Sequence, residues 1–141
     1  MGFDLPVPLK QLYTTIANGG FGPGEGFLGV PSRKAPARPN LVTLYRTYSR
    51  RPGFPWPTRL LPVTFDGADV SFCVDCDHSK HRVISFDGAL ADLEKSDISQ
   101  PRRSWPYPAH PAPACFRTRA RSFDEFLEMW LADETQLYRW L

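Results

Sequence analysis

The sequence predicts an α+β domain, with an antiparallel or mixed sheet of about four to six strands and helices packed around it. Three observations carry this. Three apolar runs, Leu60–Phe65, Ser71–Cys76 and Arg82–Phe86, follow each other at hairpin spacing. Helical spacing of apolar residues appears on both sides of that block. The 141 residues include 15 Pro and 10 Gly, a load that breaks long helices and suits short elements joined by stiff loops. The same length fits one domain over 1–141, and 42% hydrophobic with 13% aromatic residues supply its core.

The first helix is expected from about Pro6 to Ala17. Proline suits a first turn, where its missing N–H costs no hydrogen bond. Leu9, Leu12, Tyr13 and Ile16 form one face. Asn18-Gly19-Gly20 ends it, because these residues tolerate the left-handed conformation. The glycine-rich run that follows lacks the spacing of a phosphate loop. It reads as a turn into a short strand from Gly26 to Val30. Asn40 caps a second helix, Leu41 to about Arg51, closed by Pro52-Gly53.

In the central meander Asp66-Gly67 is a turn pair, and Asp77-His78-Ser79-Lys80 is a polar turn. Period-two alternation puts Phe72, Val74 and Cys76 on one face, with Ser71, Cys73 and Asp75 on the other. From about 88 to 114 the pattern breaks down into a Pro-rich insertion or long loop containing Trp105 and Tyr107. Cys115–Arg119 is a candidate edge strand. Ser122 caps the last helix, with Glu125 placed for a capping box.

Four arrangements invite a chemical reading. Cys73-x2-Cys76-x-His78-x2-His81 holds four zinc-ligand types in nine residues. On a strand, however, an odd offset sends the two sulfurs to opposite faces, so no metal site is expected. Asp66, Asp69, Asp75 and Asp77 crowd one meander without calcium-loop spacing. Asp66 and Asp77 suit turns; Asp69 and Asp75 are candidates for partner contact. Cys115 with His110 has no nucleophile signature, so no catalytic residue is assigned. Arg117, Arg119 and Arg121 alternate along the edge strand, and Arg102 and Arg103 stand beside Trp105 and Tyr107, which raises nucleic acid as a remote partner. A charged row guarding a strand edge is the simpler account.

The net charge is +2, but the signs are separated. Residues 1–60 carry eight Lys/Arg against two Asp/Glu, and residues 61–100 carry three against eight. Such blocks steer a charged partner if they persist on the surface. No apolar run reaches the length of a membrane span. No signal peptide is apparent, and three Cys without one read as free thiols in a reducing cytoplasm.

The order of these segments resembles the SUKH superfamily, a domain of bacterial toxin-immunity proteins and a fungal cell-wall regulator. The resemblance rests on Leu5-Pro6 opening the first helix and on the corner Asn18-Gly19-Gly20-Phe21-Gly22-Pro23-Gly24. It continues through Phe27–Val30, through Trp56 ahead of Leu60-Leu61-Pro62-Val63, and through Cys73-Val74-Asp75 and Val83–Asp87. Ser122–Leu131 is similar to the family's closing helix. The resemblance implies a cytoplasmic protein-binding domain with no cofactor and no catalysis. Its first expected role is neutralising a cognate toxin by direct binding. A second is an adaptor that holds a signalling or wall-synthesis partner. Glu25, Trp56, Asp69, Asp75, Arg82, Trp105 and Tyr107 are the expected contact residues, with core packing an equal alternative for Trp56.

Overall fold

The computed structural model describes residues 2–31, 40–52, 54, 56–66, 69–94, 114–133 and 135–138. Pro6 opens α1 (Val7–Thr15), and its carbonyl accepts from the Lys10 N–H at 2.9 Å. The helix buries Leu9 and stops at Ile16, before the expected Ala17. Asn40 caps α2 (Leu41–Ser49) with a reciprocal box. Its Oδ1 accepts from the Val42 and Thr43 amides, and Thr43 Oγ1 accepts from the Asn40 amide. Such a cap satisfies N–H groups that a helix start otherwise leaves unpaired.

The sheet holds β1 (Leu60–Pro62), β2 (Val70–Asp75), β3 (Val83–Asp87) and β4 (Phe116–Ala120) in that spatial order, every pair antiparallel. It is an α+β arrangement with four strands, as the alternating runs predict. The register sets Phe72 opposite Ser85, Cys73 opposite Ile84 and Ser85 opposite Arg117. Each side-chain row is thereby committed to one face. Phe72, Val74 and Val83 join a core with Leu9, Phe27, Phe123, Phe126 and Leu137. That face is covered by α1, α4 (Phe123–Ala132) and α5 (Thr135–Tyr138). Cys73, Ile84, Phe86 and Phe116 form a second core with Tyr48, Phe54 and Trp56. Around Phe86 the rings of Trp56 and Tyr48 stand edge-on at 4.9 and 5.0 Å between centroids, a favoured aromatic geometry.

Four expectations are corrected. Gly26–Val30 is not a strand; Phe27 makes an isolated bridge to Thr64, and the Leu28 amide donates to Val63 O. Gly26 has φ +91, which no extended strand tolerates, and Gly29 sits so close to Asn18 that a Cβ there would meet its carbonyl oxygen at 2.6 Å. The first meander strand ends at Pro62 rather than Phe65. The Val63 and Thr64 amides then both donate to Phe72 O, an irregularity that breaks the ladder. The second helix ends at Ser49, two residues early. Finally, residues 88–94 are not loop but α3 (Gly88–Glu94), started by Asp87, whose Oδ1 accepts from the Leu90 amide. The expected Pro-rich stretch beyond, with Trp105 and Tyr107, lies outside the described residues. No helix among the described residues is long and apolar enough to cross a membrane.

Candidate functional site

The charged residues singled out in the meander belong mostly to one turn. After β2 the chain reverses through Asp75–Arg82. Asp75 Oδ1 accepts from the Asp77 and His78 amides at 3.0 and 3.2 Å. Its Oδ2 accepts from Arg82 Nε at 3.0 Å. One carboxylate therefore fixes both the start and the far arm of the turn. His78 Nδ1 accepts from the Lys80 amide, and His78 O accepts from the His81 amide, with His81 at φ +52. Arg59 reaches across to Asp77 at 3.0 Å.

This geometry removes two expected contact residues from the surface. Asp75 is 2% exposed and Trp56 is 8% exposed. A buried carboxylate needs its partners inside the protein, and Asp75 has them. Trp56 packs in the second core and donates from Nε1 to Leu60 O at 2.9 Å. Arg82 keeps part of its side chain in solvent while its Nε serves Asp75. Glu25 and Asp69 do face solvent. Asp69 occupies a left-handed turn at φ +63, and its carbonyl accepts from the Gly88 amide at 2.9 Å.

The corner of signature residues is a framework rather than a contact set. Asn18 clamps Val30 twice: its Oδ1 accepts from the Val30 amide at 2.7 Å and its Nδ2 donates to Val30 O at 3.0 Å. Gly20 and Phe27 close the base through their backbones. Gly22 lets the Phe27 ring lie against its α-carbon, since a Cβ there would meet that ring at 2.5 Å. Pro23 and Pro6 are buried, Leu5 packs against the first core, and Pro62 ends β1.

The cysteines follow the strand geometry. Cys73 lies in the second core and Cys76 packs against the first. Burial holds both thiols protonated, pushing Cys76 up to about 12 and Cys73 well above its usual value. A metal or a substrate needs the thiolate, which this environment disfavours. No cluster of metal-ligating residues occurs among the described residues.

The edge strand carries a feature that alternation does not foretell. β4 pairs Thr118 with Ile84 and Ala120 with Val83, so the register steps over Arg119. Arg117, Arg119 and Arg121 are therefore not one continuous row. Arg119 turns back over β3, and its Nε donates to Ser85 Oγ at 2.8 Å. Ser85 is 2% exposed. Arg119 Nη2 is buried without a hydrogen-bond acceptor. Burial first, and the Arg117 guanidinium second, lower the Arg119 pKa. Nothing local in the sequence marks the bulge, because register is set by the partner strand.

No family model, curated protein or solved structure matches the chain.

Proposed function

We propose that the chain is a protein-binding domain of the immunity type, which silences a toxin by occluding it. The observation that supports this is the use made of the reactive residues of the meander. Asp75 holds a turn and Arg82, Asp69 forms a left-handed turn position, and Cys73 and Cys76 lie on opposite faces as protonated thiols. Chemistry on a substrate needs such groups to converge on one reacting atom. Here they diverge and serve the scaffold, while Glu25, Asp69, Arg117 and Arg121 remain outside. A rigid scaffold with charges of both signs on its exterior suits recognition of a complementary protein surface. The α+β class of the fold is the one that the resemblance carried by the sequence implies.

The test begins with the neighbouring genes: a secreted-toxin gene is expected beside this one, and the two are co-expressed. Growth should be restored by this chain, and the two proteins should co-purify. Continued growth arrest with the chain present in folded form sinks the immunity reading.

A further inference from the structure

Of the two asparagines, Asn18 and Asn40, only Asn18 is followed by glycine. An asparagine side chain is a carboxamide within reach of the backbone nitrogen of the next residue, and that nitrogen can displace its ammonia. Glycine in the next position has no Cβ to obstruct the approach. Asn40 is shielded from this attack: Leu41 follows it, and the Leu41 amide donates to Gly29 O at 3.1 Å. Asn18 faces solvent, so hydroxide reaches it.

What restrains Asn18 is the corner it belongs to. Its Oδ1 accepts from the Val30 amide at 2.7 Å, and its Nδ2 donates to Val30 O at 3.0 Å. Closing a ring on this residue draws Cγ onto the Gly19 nitrogen and expels Nδ2. That breaks the bond to Val30 O and drags Oδ1 off the Val30 amide. The backbone has little room to help. Gly19 sits at φ +86, where a Cβ would meet Gly29 N at 2.5 Å and Phe27 O at 2.8 Å. The facing segment is itself held, by Gly20 N to Phe27 O at 2.9 Å and by Tyr13 OH to Leu28 O at 2.6 Å. Reaction therefore waits for the corner to open, and local opening has its own free energy.

We infer that Asn18-Gly19 is a deamidation site whose rate is gated by opening of the corner, and whose product keeps the corner open. Base removes the proton of the Gly19 amide, and that nitrogen bonds to Asn18 Cγ. The Cγ–Nδ2 bond breaks and ammonia leaves, closing a cyclic imide. Water then opens the imide, with no oxidant or reductant. Cleavage of the new N–Cγ bond gives aspartate. Cleavage of the original peptide bond leaves the chain running through Cγ, as isoaspartate. Neither product fits the closed corner. Aspartate puts an oxygen where Nδ2 donated, and that oxygen meets Val30 O acceptor to acceptor. Isoaspartate adds a methylene to the backbone beside Gly19, whose α-carbon already lies against Gly29. Both place a negative charge just past the C-terminal end of α1, where the helix dipole disfavours it. The chemistry is independent of what the domain binds.

The purified chain is incubated in mildly alkaline buffer, with and without unfolding urea, and deamidation at each asparagine is followed by peptide mapping and mass spectrometry. In urea, Asn18 should react at least about tenfold faster than Asn40. In the folded protein, Asn18 should react at least about tenfold more slowly than in urea. No reaction of Asn18 in urea removes the site, and equal rates with and without urea remove the gate. Hydrogen exchange of the Val30 amide ties the gate to the clamp, because it reads breakage of the bond to Oδ1. As urea is raised below the unfolding transition, Val30 exchange and Asn18 deamidation should accelerate together. Exchange that accelerates while deamidation stays constant overturns gating by the clamp. Asn18→Asp stands in for the aspartate product, beside aged, deamidated protein separated by anion exchange. Both should unfold at lower urea than the parent. Midpoints equal to the parent's mean that the corner closes again, and overturn that half of the proposal. If Asn18→Asp does not fold, the aged protein, formed from folded chain, decides.

Discussion

At the scale of single residues, Asp75 does the most with the least. Two backbone amides and one guanidinium converge on its two oxygens, and it is 2% exposed. Removing one member of such a buried pair leaves the other without a counter-charge. Arg82 keeps partial access to water, which softens the loss. Asp75→Ala is expected to cost about 2–4 kcal/mol, read from urea unfolding. Asp75→Asn keeps an oxygen for the two amides and is expected to cost less. Equal losses would mean that the ion pair, and not the turn, carries the whole effect. The thiols give a second residue-scale prediction. All three cysteines are free, with Cys73 and Cys115 buried, and the raised values of Cys73 and Cys76 keep the nucleophilic thiolate scarce. Native protein should take up almost no iodoacetamide near neutral pH, and the urea-unfolded chain should be modified at all three. Rapid labelling of Cys76 in the native state would contradict the protonated, packed thiol.

At the scale of elements, the corner after α1 separates two glycine roles that look alike in sequence. Gly19 and Gly20 have φ values of +86 and +78, so both pay for any side chain by adopting a left-handed backbone. They differ in space. A Cβ at Gly19 would meet the Gly29 backbone nitrogen at 2.5 Å, whereas one at Gly20 meets nothing within 4 Å. Gly20→Ala is therefore expected to cost about 1 kcal/mol. Gly19→Ala adds a clash with backbone that cannot swing aside, and should cost at least about 2 kcal/mol more. Matching urea midpoints for the two variants would show that the corner yields. Ser122 is a local case: its Oγ accepts from the Glu125 amide at 3.0 Å, and the Glu125 carboxylate accepts from the Arg121 amide, one residue before the position a capping box uses. Features of this local kind were legible in the sequence, as were the two faces of β2, because caps and strand alternation depend on near neighbours. The strand proposed for Gly26–Val30 failed because Gly29 is chosen for its approach to Asn18, a contact across the corner. The Asp75–Arg82 pair and the Arg119 bulge depend on register between strands, which no single run of residues encodes. α3 was hidden for another reason: its seven residues abut the Pro-rich stretch, and its cap Asp87 is also the last residue of β3.

At the scale of the whole molecule, the sheet has aromatic cores on both faces, and each contains titratable groups held neutral. Tyr13, beside the first core, donates to Leu28 O at 2.6 Å, and burial raises its pKa. In the second core burial raises Tyr48 to about 12, against a partial lowering by its hydrogen bond with Ser71. Cys73, in the second core, and Cys76, just past the end of β2 and packed against the first, are both raised. Ordinary values are 9.0 for Cys and 10.0 for Tyr. Below about pH 8 all four groups keep nearly all their protons folded or unfolded, so they add little pH dependence. Above it the unfolded chain begins to release them while the folded protein retains them. The folded state then binds more protons than the unfolded state, and stability must fall as pH rises from about 9 toward about 12. Arg119 runs the other way, since folding lowers its pKa and its penalty lifts as it loses charge, but it is one group against four. Urea midpoints taken in reducing buffer should therefore drop more steeply between about pH 9.5 and 10.5 than between about pH 7 and 8.5. Tyr48→Phe removes one of the four protons and should make the alkaline fall shallower, even though it starts less stable for want of the 2.9 Å bond to Ser71 Oγ. A variant whose midpoint falls as steeply as the parent's would mean that the Tyr48 hydroxyl reaches water in the folded state, and that the second core is more open than its packed rings require.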